Sequence, residues 1–388
     1  MTDGRCELYL QKRISNIQNI LCVGYEKKLE DFMRKSALVC LMVLLAVPFG
    51  LFAQGSQEAV VPATAVDSRP KFAENVVLPT TGIGTEISTD LKAKGTITIA
   101  CIVKNSTNPY MISQLEGVKK AGLDMGFEAI TMAPAKQDSV EEQVKIIEDM
   151  IQKGVDGIII HCADSNGIMP AIRKAKAANI PVVTIGTPAA EDTFLRTGVN
   201  YEETGYVVAS YIAEKLNGKG NVIILEGPAG AQNARERLAG IQRGFKPYPG
   251  IEIVASQTAN FKRTEGMNVT ENLIQKYKNV DALIGANDES ALGGVQALKA
   301  AGMNNVLVAG FDGSIDASSA VENGTLIASY NTDPYGSGYV ACAYLVEYLN
   351  DGTMPPATFV PFPSASDDPL ITKENIDLYK NNFAWWNL

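Results

Sequence analysis

The chain has 388 residues, 46% of them hydrophobic, with a formal charge of −9 and a pI near 4.9. That is room for two domains and a leader. The acidic balance argues against nucleic acid, whose phosphates need clustered Lys and Arg, and against docking on an anionic membrane surface.

Six cysteines and a single histidine, His161, leave no set of about four closely spaced ligands for a structural zinc. Cys101, Cys162 and Cys342 stand singly in apolar runs and read as small buried hydrophobes.

The leader comes first in chain order. Arg34 and Lys35 precede an apolar run from Ala37 to Phe52, which Pro48 and Gly50 interrupt. Ala53 and Gln54 then offer a cleavage point, so 33–53 reads as a secretory signal peptide and the protein as periplasmic. The run is shorter than the ~20 residues a spanning helix needs. Residues 1–32 read as an extension upstream of the true start at Met33, and no cysteine follows the cut to carry a lipid. Residues 54–94, rich in Pro, Thr, Ala and Gly, read as a tether.

From Thr96 onward, short β-branched apolar runs alternate with amphipathic stretches. Strands are predicted at 96–103, 128–132, 157–162, 181–185, 221–225, 252–256, 282–285, 306–310 and 326–330. Helices are predicted at 112–125, 140–153, 167–178, 204–216, 235–245, 265–277, 291–300 and 335–349. In 140–153, Val140, Val144, Ile147 and Ile151 recur at helical spacing among charges. Such alternation implies βαβ units and parallel sheets, and the continuously apolar strands imply helices on both faces. Two sheets suit the length better than one. Ligands of such sheets sit beyond the carboxyl ends of strands, near helix amino termini.

The strand ends are therefore the places to look for chemistry. After the first strand stand Lys104, Asn108, Tyr110 and Met111, with Asn108–Pro109 suited to a helix start. His161 ends the third and reads as either a structural group or a ligand contact. Gly186 and Thr187 end the fourth. The second half offers Arg235, Phe261, Asn287, Asp312 and Thr332. Asp288, Glu289 and Asp312 could cap helices or accept hydrogen bonds from hydroxyls. Amides, carboxylates, an Arg and aromatic rings together suit a polyhydroxylated ligand, whose hydroxyls both donate and accept. Gly227-Pro228-Ala229-Gly230 lacks the Gly-Lys-Ser/Thr of a phosphate loop. No Gly-x-Ser-x-Gly elbow or two-His metal motif appears, so neither an enzyme nor a cofactor is indicated.

These strand ends, in this order, resemble the periplasmic sugar-binding protein family of ABC importers typified by ribose-binding protein, over residues 95–375. The segments that carry the resemblance are Ser106-Thr107-Asn108-Pro109-Tyr110, Ala234 to Gly240, Asn287 to Gly293 and Gly310-Phe311-Asp312-Gly313. The resemblance implies an α/β fold of two doubly wound parallel-sheet lobes joined by a three-strand hinge, closing on a ligand. It places one lobe at 95–200 and 333–361, and the other at 201–332 with 362–375. Crossings fall near Asn200, Thr332 and Pro361, and 376–388 forms a tail with Trp385 and Trp386.

It also implies ligand contacts at Lys104, Asn108, Tyr110, Met111, His161, Thr187, Arg235, Phe261, Asn287, Asp312 and Thr332. Ribose binders carry Asp-Arg where this chain has Gly186-Thr187, Asn at His161, and Gln near Thr332. The altered half-pocket would underpair ribose by roughly 1–3 kcal/mol per unsatisfied group, which points to another pentose, a hexose, a polyol or a cyclitol. A pH-dependent affinity is expected if His161 touches ligand.

The implied partners are the sugar or polyol, an ABC permease, and a chemoreceptor if signalling is also served, with the protein a monomer. A signalling role, a regulator of the lactose-repressor type and an enzyme are the rival functions. The regulator would need a DNA-binding head where the leader stands.

Overall fold

The computed structural model describes residues 90–361, 368–382 and 384. The leader, most of the tether, and Trp385 and Trp386 lie outside the described residues.

Two six-stranded sheets organise the chain. The first takes β1 (Thr98–Ile102), β2 (Glu128–Met132), β3 (Gly157–Ile160), β4 (Val182–Ile185), β5 (Leu195–Gly198) and β11 (Phe359–Pro361), in the order β11-β5-β4-β3-β1-β2. The second takes β6 (Lys219–Glu226), β7 (Gly250–Thr258), β8 (Ala282–Gly285), β9 (Leu307–Asp312), β10 (Ala328–Asn331) and β12 (Leu370–Thr372), in the order β12-β10-β9-β8-β6-β7. All pairings are parallel except β12 on β10, so one edge of the second sheet departs from the all-parallel expectation.

Alternation along each central strand explains the layering. Ile99, Cys101 and Val103 enter one core cluster while Ala100 and Ile102 enter another on the opposite face. Ile223 and Leu225, against Val222 and Ile224, do the same in the second sheet. Side chains point alternately to the two faces of a strand, so each sheet is sealed on both sides.

Helices α1 (Pro109–Met125), α2 (Val140–Lys153), α3 (Met169–Ala177) and α9 (Pro334–Asp351) belong with the first sheet; α9 packs along α1. Helices α4 (Tyr201–Lys215), α5 (Gln232–Phe245), α6 (Arg263–Lys276), α7 (Asp288–Ala300), α8 (Ile315–Glu322) and α10 (Ile376–Asn382) belong with the second. The local signals are legible. Ser139 caps α2 by accepting from Glu142 N, Glu141 and Glu142 face its positive end, Lys153 faces its negative end, and Gly154 terminates it in the left-handed region.

The chain passes between sheets three times: between β5 and α4, between β10 and α9, and between β11 and β12. The carboxyl ends of both sheets consequently open onto one crevice. Among the described residues no helix is long and apolar enough to cross a membrane, and no group of three or more metal-ligating side chains occurs. Cys101, Cys162 and Cys342 are buried and unpaired.

Candidate functional site

A cavity of about 430 Å³ lies between the two sheets. Of the residues singled out from the sequence, Lys104, Asn108, Tyr110, Met111 and His161 line it from the first lobe. Phe261, Asn287 and Asp312 line it from the second.

Asn108 sits at the N-cap of α1, its side-chain oxygen accepting from Tyr110 N at 2.9 Å. Its amide nitrogen makes no hydrogen bond among the described residues, which leaves that donor, and the second lone pair of the oxygen, for a ligand. Asn287 plays the matching part on α7: its Oδ1 accepts from Ser290 N at 3.0 Å, and its Nδ2 donates to Phe261 O at 3.2 Å. Phe261 and Asp312 adopt positive φ, at 59° and 112°, conformations that side chains take at a cost and that cluster at binding sites. Lys104 Nζ, from the first lobe, lies 4.7 Å from the Phe261 ring centroid.

Arg235 requires a correction. It is exposed and its guanidinium donates to Ala229 O at 2.6 Å, away from the cavity. The arginine on the wall is Arg237, only 2% exposed, stacked near Phe311 at 4.3 Å and Tyr201 at 5.1 Å and donating to Ala286 O. Two residues along a helix turn about 200°, so the two arginines face opposite ways. Arg237 shares its face with Asn233, four residues back, which also lines the cavity. The signal was available: Ala234, Arg237, Ile241 and Phe245 form the buried stripe of α5. Tyr201, the first residue of α4, was also missed; its hydroxyl meets that of Tyr110 across the crevice.

Thr187 and Thr332 do not line the cavity. Thr332 is buried beside the Tyr110 phenol. Thr187 is buried behind the wall: its hydroxyl lies 3.2 Å from His161 Nε2 and 2.8 Å from Asn233 Oδ1. It therefore ties the first lobe to the second rather than reaching inward.

His161 also differs from the expectation of a titrating ligand contact. Its Nδ1 lies 2.8 Å from Gln114 Oε1, whose amide nitrogen donates to Ser337 Oγ at 3.2 Å. With Nε2 against Thr187, both ring nitrogens are occupied. Burial and then the nearby Lys104 charge hold its pKa well below the ordinary value. Gly186, at φ 60°, packs directly against this ring, and a Cβ there would fall inside it.

Burial pushes Asp312 well up, and the neighbouring Asp288 adds to the rise. Asp288 itself is raised to about 7 by burial, although Ser329 Oγ at 2.6 Å and Ser314 N at 2.8 Å donate to it. The two carboxylates therefore resist being charged together. Nearer the rim, Arg263 is clamped by Glu289 at 2.7 Å and Asp316 at 2.7 Å.

A seam of direct contacts closes the crevice behind the cavity. Arg196 on β5 makes two bonds, at 3.0 and 2.5 Å, to Glu236 on α5. Ser165 N donates to Gly230 O at 3.0 Å, and Gln232 N to Ser165 Oγ at 3.1 Å. The arrangement is a two-sided cleft lined with hydrogen-bonding groups and rings. Nothing in it pairs a nucleophile with a base.

Comparison with known proteins agrees with this geometry. A family model described as a periplasmic binding protein domain matches residues 99–353. The ribose import binding protein of Escherichia coli (strain K12) is 33% identical over 244 residues, covering 63% of this chain and 81% of that one. The xylitol-binding protein of Mycolicibacterium smegmatis is 31% identical over 247 residues, covering 62% and 68%. Among solved structures, an ABC transporter periplasmic solute binding protein from Actinobacillus succinogenes with bound D-allose superposes with a TM-score of 0.68 at 32% identity, covering 73% of this chain and all of that one. With more than half of its length matched by the family model and its two parallel sheets facing one cavity, this chain belongs to the periplasmic binding protein domain family.

Proposed function

We propose that this protein is the solute-binding component of an ABC import system, capturing a sugar or polyol between its lobes and handing it to a membrane permease. The observation that carries the reading is the cavity shared by both sheets. Lys104, Asn108 and Tyr110 face it from one side, and Arg237, Asn287, Phe261 and Asp312 from the other. Rings cover C–H faces while amides and charges meet hydroxyls, the mixture a polyhydroxylated solute requires. The relatives named above, for ribose, xylitol and D-allose, support the same class. Export through the 33–53 signal peptide, a mature chain beginning near Gln54 and action as a monomer complete the proposal. The lobes exchange chain near Asn200, Thr332 and Pro361, and hinge there.

A thermal-shift screen of the mature protein against pentoses, hexoses, polyols and cyclitols tests it, because a ligand of the native state raises the melting temperature. A shift with a member of these classes, confirmed by calorimetry, is expected. No shift with any of them contradicts the proposal.

A further inference from the structure

A chain of buried hydrogen bonds runs behind the cavity from α9 to α5, and each link has a direction. Ser337 gives its hydroxyl hydrogen to Pro334 O at 2.8 Å, a carbonyl that can only accept. The contact from Gln114 to Ser337 Oγ at 3.2 Å therefore comes from the amide nitrogen, which turns Gln114 Oε1 toward His161 Nδ1 at 2.8 Å. An amide oxygen cannot donate, so Nδ1 carries a hydrogen.

Nε2 then has to be bare. Burial and the charge of Lys104 oppose a second proton on the ring. Tyr110 meets the ring edge-on, with centroids 6.1 Å apart, and Gln143 on α2 holds the His161 carbonyl rather than the ring. A bare Nε2 takes the hydroxyl hydrogen of Thr187, 3.2 Å away. Thr187 has no second hydrogen to donate across the lobe boundary.

Asn233 lies 2.8 Å from the same hydroxyl, and among the described residues its amide makes no other hydrogen bond. Meeting Thr187 with Oδ1 would set two acceptors against each other. The two ends of an amide have nearly the same shape, so a half-turn replaces that repulsion with a bond from Nδ2 to Thr187 Oγ1.

Resting on the solute-binding reading above for what enters the cavity, we infer that Thr187 is the positioning residue for Asn233, holding its amide nitrogen at the lobe boundary and its carbonyl oxygen toward the cavity. Ser337, Gln114, His161 and Thr187 all belong to the first lobe, so the direction is set there before the second lobe closes on it. Asn233 accordingly brings an acceptor to the cavity, and a solute hydroxyl that meets it must donate. A proton on Nε2 would reverse Thr187 and turn the nitrogen of Asn233 inward, which makes the neutral state of His161 part of the specificity.

Long-range proton–nitrogen NMR of the full mature chain, labelled with nitrogen-15 and free of solute, reads the tautomer of the single histidine directly. The expected result from pH 8 to 5 is a protonated Nδ1 beside a bare Nε2. A protonated Nε2, alone or together with Nδ1, overturns the inference, because Thr187 would then donate to Asn233. Thr187→Val should shift the Nε2 signal toward that of a lone pair without a partner, and Thr187→Ser should restore it. Asn233→Leu should leave it in place. An Nε2 signal that ignores Thr187→Val, or moves with Asn233→Leu, overturns the role of Thr187. If a variant does not fold, the wild-type tautomer still decides. None of these readings needs a solute, so their failure leaves the solute-binding reading standing, and a blank solute screen leaves the tautomer result standing.

Discussion

The two walls of the cavity spend their polar groups differently. On the second lobe, Arg237 is braced between Phe311 and Tyr201, and Asn287 is fixed by Ser290, so each side chain is held by its own lobe and aims inward. On the first lobe, His161 is turned away toward Gln114 and Thr187, and Thr187 reaches Asn233 on the other lobe. One wall is built to grip, while much of the other is built to close. Strand ends in equivalent sheets thus divide the work in the proposed reading: solute recognition would rest mainly on the second lobe, with Lys104 and Asn108, which also line the cavity, completing it from the first. Thr187 and Arg196 belong to the closing seam.

The largest effect is expected from the gripping wall. Arg237→Ala should weaken solute binding about a hundredfold or more, since a buried charged hydrogen-bond donor contributes on the order of 2–3 kcal/mol and its loss leaves the solute unpaired. Arg235→Ala, two residues away, should change affinity less than about twofold. Calorimetry on the pair checks this, and equal losses would erase the distinction between the faces of α5.

Gly186 tests the other wall. Gly186→Ala should lower stability by about 2–3 kcal/mol, because the new Cβ meets the His161 ring and L-residues resist its φ of 60°. Adding His161→Ser should recover the part due to the clash. A thermal melt showing no recovery would mean that backbone strain alone is responsible.

Arg196→Ala tests closure directly. The bidentate pair with Glu236 is partly buried, so its loss should cost about 1–2 kcal/mol, between the exposed and fully buried cases. Affinity should fall about fivefold to thirtyfold, with scattering in solution showing a more open molecule at saturation short of full closure.

The smallest effect concerns pH. His161 stays neutral when folded, while the unfolded chain takes up a proton below about 6.5. Its contribution to stability is therefore lost as pH falls through 6.5, by at most about 1.4 kcal/mol per pH unit. Asp288 acts oppositely: its folded pKa of about 7 exceeds the unfolded value, so folding is favoured as pH falls from 7 toward 4. Comparing melts of the wild type and His161→Gln from pH 8 to 5 isolates the histidine, and the variant should gain relative stability on the acid side. Because the chain has one histidine, its ring signal can be followed by NMR without assignment. A midpoint near 6.5 would contradict the buried network.

The fold was readable because its strands are unbroken apolar runs. Glu128–Met132, Ala282–Gly285 and the helix Val140–Lys153 appear in the structure with the bounds their sequence patterns suggest. The omissions have a common physical cause. β11 and β12 are three residues long, too short to show a period, and β5 (Leu195–Gly198) holds Arg196, Thr197 and Gly198 in place of an unbroken apolar run. Helices α1, α4, α5 and α7 begin three residues before their apolar periodicity does, since first turns are made of capping and solute-facing groups such as Tyr201, Asn233 and Asp288. The resemblance places the ligand arginine at Arg235, whereas the buried face of α5 carries Arg237. The network around His161 was invisible for another reason: Gln114, Ser337 and Asn233 come from three distant segments, and nothing local in the sequence brings them together.

The most direct measurement concerns whether both walls hold the solute. Asn108→Asp keeps the cap oxygen of α1 but removes the amide donor from the first wall, and Arg237→Ala strips the second. Titrating each, beside the wild type, with the solute found by thermal shift should show affinity falling in both while their melts without solute stay cooperative. If either variant binds as tightly as the wild type, the solute is held from one side only and the two-walled enclosure is not its binding site.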